Sequence, residues 1–446
     1  MQVKRDDEGV SGAAGAELRL WLLLAVGALA VAGVLALALA ASRTPWLQDN
    51  LPWGAQFFRR GLVVHVVFSF QVWLLAMLGA LSAIGRPGGR WLGWGGLTLS
   101  AAGCVLLLLP VLAGAGTPSL NNYVPVLEHP LFHGGLVLLA LGVGLAVSRC
   151  LAGGEAGMAT VALCLLSALA CFALAAVLMP RGTEMGQRNE ALFWGGGHVL
   201  QFANTAVLMV GWQSLALHLW GRGALPPRVA KAAFAVLALG ALLGPSLYAF
   251  DVLGPDHRAA FTTLFLFALP APPLVMGAGL AWRILRGRRD WRSPAFLALA
   301  LSLAVFALGG AAGYALGQGD TRTPSHYHAV IAGVNLVLIG LVHARLLPLL
   351  GRGGGGGPWV RAQLLLYGGG QTLHALGFYL AGLAGVARKV AGAEQGLDSA
   401  LKLAAMGLAG LGGAIAVLGG VVFVVQVLTL LLRRSQGRDD RRKGSA

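Results

Sequence analysis

Ser325-His326-Tyr327-His328-Ala329-Val330 opens a long apolar segment and places two histidines two positions apart. On an α-helix two positions span about 200° of rotation, so the two imidazoles face opposite sides. They cannot share one metal ion, but each can serve a separate metal-bearing group on its own side of the helix. What the pair means depends on the medium around it.

That medium is a bilayer. The 446 residues are 57% hydrophobic and only 11% charged, with a mean hydropathy of +0.74. This composition excludes a soluble globular protein and predicts an all-α polytopic membrane protein. Apolar stretches long enough to cross a hydrocarbon core fall at 18–41, 62–84, 91–114, 130–148, 156–179, 191–218, 229–250, 260–282, 294–317, 326–349, 362–385 and 403–432. Twelve spans leave only short connections. The expectation is therefore one transmembrane domain over 1–446, embedded from about 18 to 432, with a basic tail at 433–446. The first run follows Lys4-Arg5 but is too long for the apolar region of a signal peptide, so it reads as a retained span.

The net charge of +16 does not point to nucleic acid, because Lys and Arg lie in the loops between spans rather than in one patch. An N-terminus on the cytoplasmic side puts 23 of the 33 basic residues inside and 10 outside, as the positive-inside rule demands. Both termini are thus expected in the cytoplasm, in an inner membrane if the source is bacterial. Cys104, Cys150, Cys164 and Cys171 show no CxxC spacing and read as packing residues. Gly353 to Gly357 reads as a flexible linker. The runs Gly195-Gly196-Gly197 and Gly368-Gly369-Gly370 read as places where helices approach closely or a flat group fits.

Coordinating side chains inside a bilayer are costly and mark function. His65 enters with the second span, His198 with the sixth, and His326 and His328 with the tenth, all from the outer side. A single histidine near a headgroup needs no functional reading; four at matched depth from three helices do. His374, beside Gln371 and Thr372 in the eleventh span, is a candidate either for a donor to the same layer or for a simple interhelical hydrogen bond. His218 and His343 read as interfacial or packing residues, and His129, His133 and His257 as outer-surface ones. Two axial imidazoles make a six-coordinate electron-transfer haem, whereas one leaves iron open to a small gas. The His-x-His pair can supply one ligand to each kind.

At this point the residues carry a family resemblance. Asp320-Thr321 with Ser325-His326-Tyr327-His328-Ala329-Val330 resembles the tenth-helix signature of subunit I of haem-copper oxidases and nitric oxide reductases. Arg59-Arg60 before His65 resembles that family's second helix, and Trp194-Gly195-Gly196-Gly197-His198 its sixth. Asp256-His257-Arg258-Ala259-Ala260-Phe261-Thr262 is similar to the stretch after its seventh, and Gly385-Val386-Ala387-Arg388-Lys389 to the outer loop that holds haem propionates. The resemblance implies that His65 and His328 ligate a low-spin haem and that His326 is the proximal ligand of a second haem; the haem type is left open by the sequence, with haem b the first expectation. It further implies that Arg388 and Lys389 neutralise propionates and that His198 faces a distal non-haem Cu or Fe. The implied activity is an oxidoreductase that passes electrons from the first haem to the second, where O2 or NO is reduced.

The chain departs from the family where its seventh helix carries adjacent histidines, reading Gly244-Pro245-Ser246-Leu247-Tyr248-Ala249-Phe250-Asp251 instead. One histidine is a poor copper site; Tyr248, Asp251, Glu190, Gln201 and His257 are the remaining candidate donors, and Tyr248 is carried forward as a catalytic candidate. Phe202 stands one turn beyond His198, where the oxygen-reducing branch often has a tyrosine. All 17 acidic residues fall in loops or at span ends, so protons are expected from outside, past Glu190, Asp251 or Asp256, and proton pumping is not expected. With neither a Cys/His copper cluster nor CxxCH, electrons must come from a cytochrome c-like or quinol donor, and the chain is expected to be one subunit of a respiratory complex. Two other readings stand beside this one: a non-catalytic dihaem electron-transfer or gas-binding subunit, and a twelve-helix transporter.

Overall fold

Residues 12–85, 89–153, 155–287, 289–317, 319–353 and 357–433 are described by a computed structural model. Lys4-Arg5, most of the Gly353 to Gly357 linker and the basic tail after Arg433 lie outside the described residues. Twelve long helical segments run back and forth: α1 Ala13–Ala41, α2 Gln56–Ile84, α3 Arg90–Leu112, α4 Pro130–Leu151, α5 Ala156–Leu178 and α6 Met185–Trp220; then α7 Pro227–Ala249, α8 Pro255–Arg286, α9 Pro294–Gly313, α10 Arg322–Leu349, α11 Pro358–Leu383 and α12 Ala400–Leu432. Ten of them are long and apolar enough to cross a membrane by length and composition. The other two, α6 and α11, are diluted by side chains such as Asn204, Thr205, Gln363, Gln371 and His374 that turn into the bundle. With the ends of α1 and α12 on one side, the described chain has a terminal face and an opposite face.

Several helices begin earlier than the apolar runs: α2 starts at Gln56 rather than 62 and α6 at Met185 rather than 191. His65 is consequently two to three turns into its helix rather than near the surface. Prolines mark the irregular spans. α7 ends in a 3-10 stretch, Gly244–Ala249, and α8 is interrupted between Ala268 and Ala271, where Pro270, Pro272 and Pro273 remove backbone donors. Single π-helical turns occur at Val67–Val72 in α2 and Val342–Leu346 in α10.

Small residues set how close the helices come. On α3 and α4, a Cβ on Gly96 would stand 2.4 Å from the Gly142 carbonyl oxygen and one on Gly103 2.7 Å from that of Gly135. Gly370 and Gly377 of α11 meet Gly412 and Ala409 of α12 in the same way. Such contact replaces the hydrophobic effect, which offers nothing between helices already in lipid. The opposite face is covered by loops, including an antiparallel hairpin of β1 Thr117–Ser119 and β2 Val126–Glu128, and by a bridge between Asp320 and Ala387 that joins the loops before α10 and after α11.

At the terminal face, Arg149 of α4 holds Glu17 of α1 at 2.6 Å and donates to Ser82 of α2 at 2.9 Å, with both charged side chains 2% exposed. A Cβ on Gly93 of α3 would fall 2.3 Å from the Glu17 carboxylate. Four helices are thus fixed at one point. Removing one partner of a buried pair costs roughly 3–5 kcal/mol. Arg149→Met is therefore expected to lower the unfolding temperature in detergent sharply, and the double variant with Glu17→Leu to recover part of the loss; equal loss in both would mean the pair is not coupled.

Candidate functional site

The start of α10 is fixed before its histidines appear. Asp320 accepts from the Arg322 backbone N–H at 2.8 Å, and its bonds to the Arg322 side chain hold its carboxyl below the usual carboxylate range. Thr321 donates to the Phe378 carbonyl at 2.8 Å and Ser325 to that of Ala375 at 2.7 Å, which ties α10 to α11. From this anchored start the two imidazoles diverge as the helical rotation requires. His326 turns to α9, where its Nδ1 meets the Gly309 carbonyl at 2.7 Å and a Cβ on Gly313 would fall 2.7 Å from the ring. His328 turns to α11, with its ring 4.6 Å from that of His374 and 5.8 Å from that of Phe378.

His65 lies on the His328 side. Its Nδ1 is 3.0 Å from the Ala32 carbonyl of α1, and the π turn of α2 begins two residues later, a feature that often accompanies functional sites. His328 is within electrostatic range of His65, His374 and Arg43. His374 in turn places Nδ1 2.6 Å from the Ala409 carbonyl of α12; Gly412 lets the two backbones approach, and Gly413 leaves the ring room. In His65, His326 and His374 the carbonyl accepts a hydrogen bond from the Nδ1–H, so Nε2 keeps its lone pair and the ring orientation is set, the arrangement that suits a ligating imidazole. His65, His326, His328 and His374 each retain some accessible surface, and the Gln371 side chain lies within hydrogen-bonding reach of His328. Imidazole nitrogens on both sides of α10, glycines beside His326 and unfilled space around the rings are a donor set that fits haem.

His198 stands apart. Its Nδ1 bonds the Trp194 carbonyl of its own helix at 2.8 Å, and the rings of Tyr123, Trp194, Phe265 and Phe261 surround it at centroid distances of 4.6, 4.8, 5.6 and 6.1 Å. Tyr248 directs its hydroxyl to Gly195, where a Cβ would fall 2.5 Å away. Its ring packs 4.8 Å from His257, which is wholly buried rather than at the surface as the sequence suggested. Phe261 packs between the two histidines, 4.9 Å from His257 and 6.1 Å from His198. Among the described residues no three His, Cys, Asp or Glu side chains form a metal-binding group, and this aromatic box does not fit a non-haem Cu or Fe.

The loops of the opposite face close over the site with cations. Arg43 donates to the Ala387 carbonyl at 3.2 Å, and burial draws its guanidinium down to about 10. Arg388 is held through its backbone, which donates to the Gly319 carbonyl at 3.1 Å. Lys389, in the left-handed backbone region at φ 64°, bonds the Leu120 carbonyl and approaches Asn122 Oδ1 at 3.4 Å. Burial, then the neighbouring Arg388, lowers its ammonium to about 8. Asn122 also donates to Glu190 at 2.7 Å, and Glu190 pairs with Arg258 at 3.3 Å.

No family model matches the chain. It is 30% identical over 342 residues to an uncharacterized protein of Aquifex aeolicus (strain VF5), covering 72% of this chain and 82% of that protein. The chain belongs to the family of that protein. A second relative, uncharacterized protein RP382 of Rickettsia prowazekii (strain Madrid E), is 23% identical over 91% of this chain and 94% of its own length. Among solved structures, a heme-copper terminal oxidase dimer determined by cryo-EM superposes with a TM-score of 0.68 over 96% of this chain and 85% of that chain, at 15% identity. This family therefore shares the heme-copper oxidase fold.

The structure brings His65 and His328 to one side of α10 and His326 to the other, places Arg388 and Lys389 in the loop above them, and leaves His198 and Tyr248 in a separate aromatic layer. Sequence reasoning missed the burial of His257, for which the i, i+4 spacing of His257 and Phe261 was a usable signal. His374 makes an interhelical hydrogen bond, one of its two expected roles, and His343 takes the packing role, 3% exposed with its Nε2 2.7 Å from the Gln363 amide nitrogen.

The Lys389 ammonium yields a pH test. Its folded value of about 8 is below the ordinary 10.5, so the unfolded chain binds more protons between them and stability rises with pH across that window. The unfolding temperature of the wild type should gain on that of Lys389→Met from pH 8 to 10.5; a constant difference would mean that Lys389 is not buried as described.

Proposed function

We propose that this chain is the haem-bearing, subunit I-like component of a respiratory terminal oxidase or reductase. His65 and His328 would hold a low-spin haem on one side of α10 and His326 a second haem on the other. The observation that carries the reading is the Nδ1-to-carbonyl bonding of His65 and His326, 3.0 and 2.7 Å, which presents Nε2 from two helices in a bundle of heme-copper oxidase fold.

Bound there, the first haem would relay single electrons and the second would offer an open iron position to O2 or NO. The chain's own part is to orient and to exclude. The Gly309 and Ala32 carbonyls fix the imidazoles, Phe378 packs against the rings of His328 and His374, and Arg43, Arg388 and Lys389 offer positive charge to haem carboxylates. Protons would reach the site from the opposite face past Glu190, Asp251 or Asp256. Electrons would come from a cytochrome c-like or quinol partner within a larger complex. The location we infer is a bacterial inner membrane with both termini cytoplasmic, an orientation supported by the 23 of 33 basic residues it places inside.

Two observations favour variants of this reading. The unfit donor set around His198 favours a dihaem electron-transfer or gas-binding subunit without a distal metal. The firm Nδ1 bond of His374 makes it the rival of His328 as the partner of His65.

Reduced-minus-oxidised spectra of the purified protein, with and without CO, test the assignment. His65→Ala and His328→Ala should abolish the low-spin signal and spare CO binding, whereas His326→Ala should abolish CO binding and spare the low-spin signal. Loss of the low-spin signal in His374→Ala but not in His328→Ala would transfer the ligand role to His374. Absence of haem absorbance in the wild type would remove the proposal.

A further inference from the structure

The lipid-facing surface between α5 and α7 is not closed by packing. A groove of about 360 Å³ runs there, walled on one side by Ala156, Ala159 and Leu163 and on the other by Phe234, Ala238 and Leu242. The small side chains recur at helical spacing, so the furrow follows both helices instead of forming an isolated dent. Its hydroxyl, that of Thr160, already donates to the Phe234 carbonyl at 3.4 Å. The one charged residue that lines it is Lys231, at the terminal-face rim, with Arg228 a turn earlier on the same side of α7.

We propose that this groove binds one anionic phospholipid of the leaflet at the terminal face, with an acyl chain between α5 and α7 and its phosphate at Lys231 and Arg228. Three observations select that occupant. From Lys231 to Leu242 the helix rises about 16 Å, roughly half of a ~30 Å hydrocarbon core; this is one leaflet's depth, too short for a partner's transmembrane helix. Below the rim the walls are Ala, Leu and Phe side chains with one hydroxyl, which already donates to the Phe234 carbonyl, a lining that suits a hydrocarbon chain better than the polar ring of a quinone. Among the described residues Lys231 has no ion-pair partner, so its charge is free to meet a phosphate. The site is independent of the haem reading.

Native mass spectrometry of the detergent-purified full chain, offered phosphatidylglycerol and phosphatidylcholine in equal amounts, tests the proposal. The wild type should retain one phosphatidylglycerol in preference to phosphatidylcholine. Removal of both charges in Arg228→Gln/Lys231→Gln should weaken that retention by roughly fivefold per charge, whereas Arg181→Gln on the opposite face should change nothing. Ala235→Trp, which fills the groove, should displace both lipids, and the exposed rim variants decide the matter if that variant does not fold. Equal retention of the two lipids, no effect of the rim charges, no lipid retained, or a polypeptide held at this face would each overturn it.

Discussion

A ring nitrogen deep in a bilayer has no water to turn to, and this constraint organises the interior of the protein. A buried imidazole N–H without an acceptor is costly, and for three of the histidines a carbonyl of a neighbouring helix supplies one. His65 takes Ala32 on α1, His326 takes Gly309 on α9, and His374 takes Ala409 on α12. These bonds do two things at once: they remove the cost of a buried donor, and they determine which nitrogen is left to ligate. The close contacts made by Gly313 and Gly413 follow, because the rings reach those carbonyls only where no side chain intervenes.

The two faces solve different problems. At the terminal face the Arg149–Glu17 pair is sealed among four helices, with each charge satisfied by the other, and it fixes the bundle rather than conducting anything. At the opposite face the charges remain partly open and lie close over the histidines. Arg43 is bonded to the Ala387 carbonyl, and Lys389 reaches over to the loop of Leu120 and Asn122. A cationic lid over neutral, carbonyl-fixed imidazoles suits a group that is apolar in its body and anionic at its edge. The layer around His198 is unlike it: aromatic, closed, and with Phe261 between His198 and His257. One layer presents carbonyl-fixed imidazoles on both sides of α10, whereas the other presents aromatic rings in place of ligands.

Much of this was legible in the sequence, because bilayer thickness and helical periodicity act locally. Twelve apolar runs gave twelve helices, and the two-residue spacing of His326 and His328 gave their opposite directions. What was not legible arises from long-range pairing. Glu17 reads as one more acidic residue at a span end until Arg149, 132 positions away, is folded onto it. The acceptor for His374 cannot be named until α12 supplies the Ala409 carbonyl. The true starts of α2 and α6 were hidden because their first turns are polar and stand beyond the apolar run, which also concealed how deep His65 lies.

The central claim is that α10 separates two haems, one held from both sides and one from a single side. Electron paramagnetic resonance of the oxidised, purified protein, taken together with haem content per chain, addresses it directly. The account predicts two haems per chain, with one low-spin signal typical of two imidazole ligands and one high-spin signal. A single haem, two low-spin haems or no haem at all would contradict it.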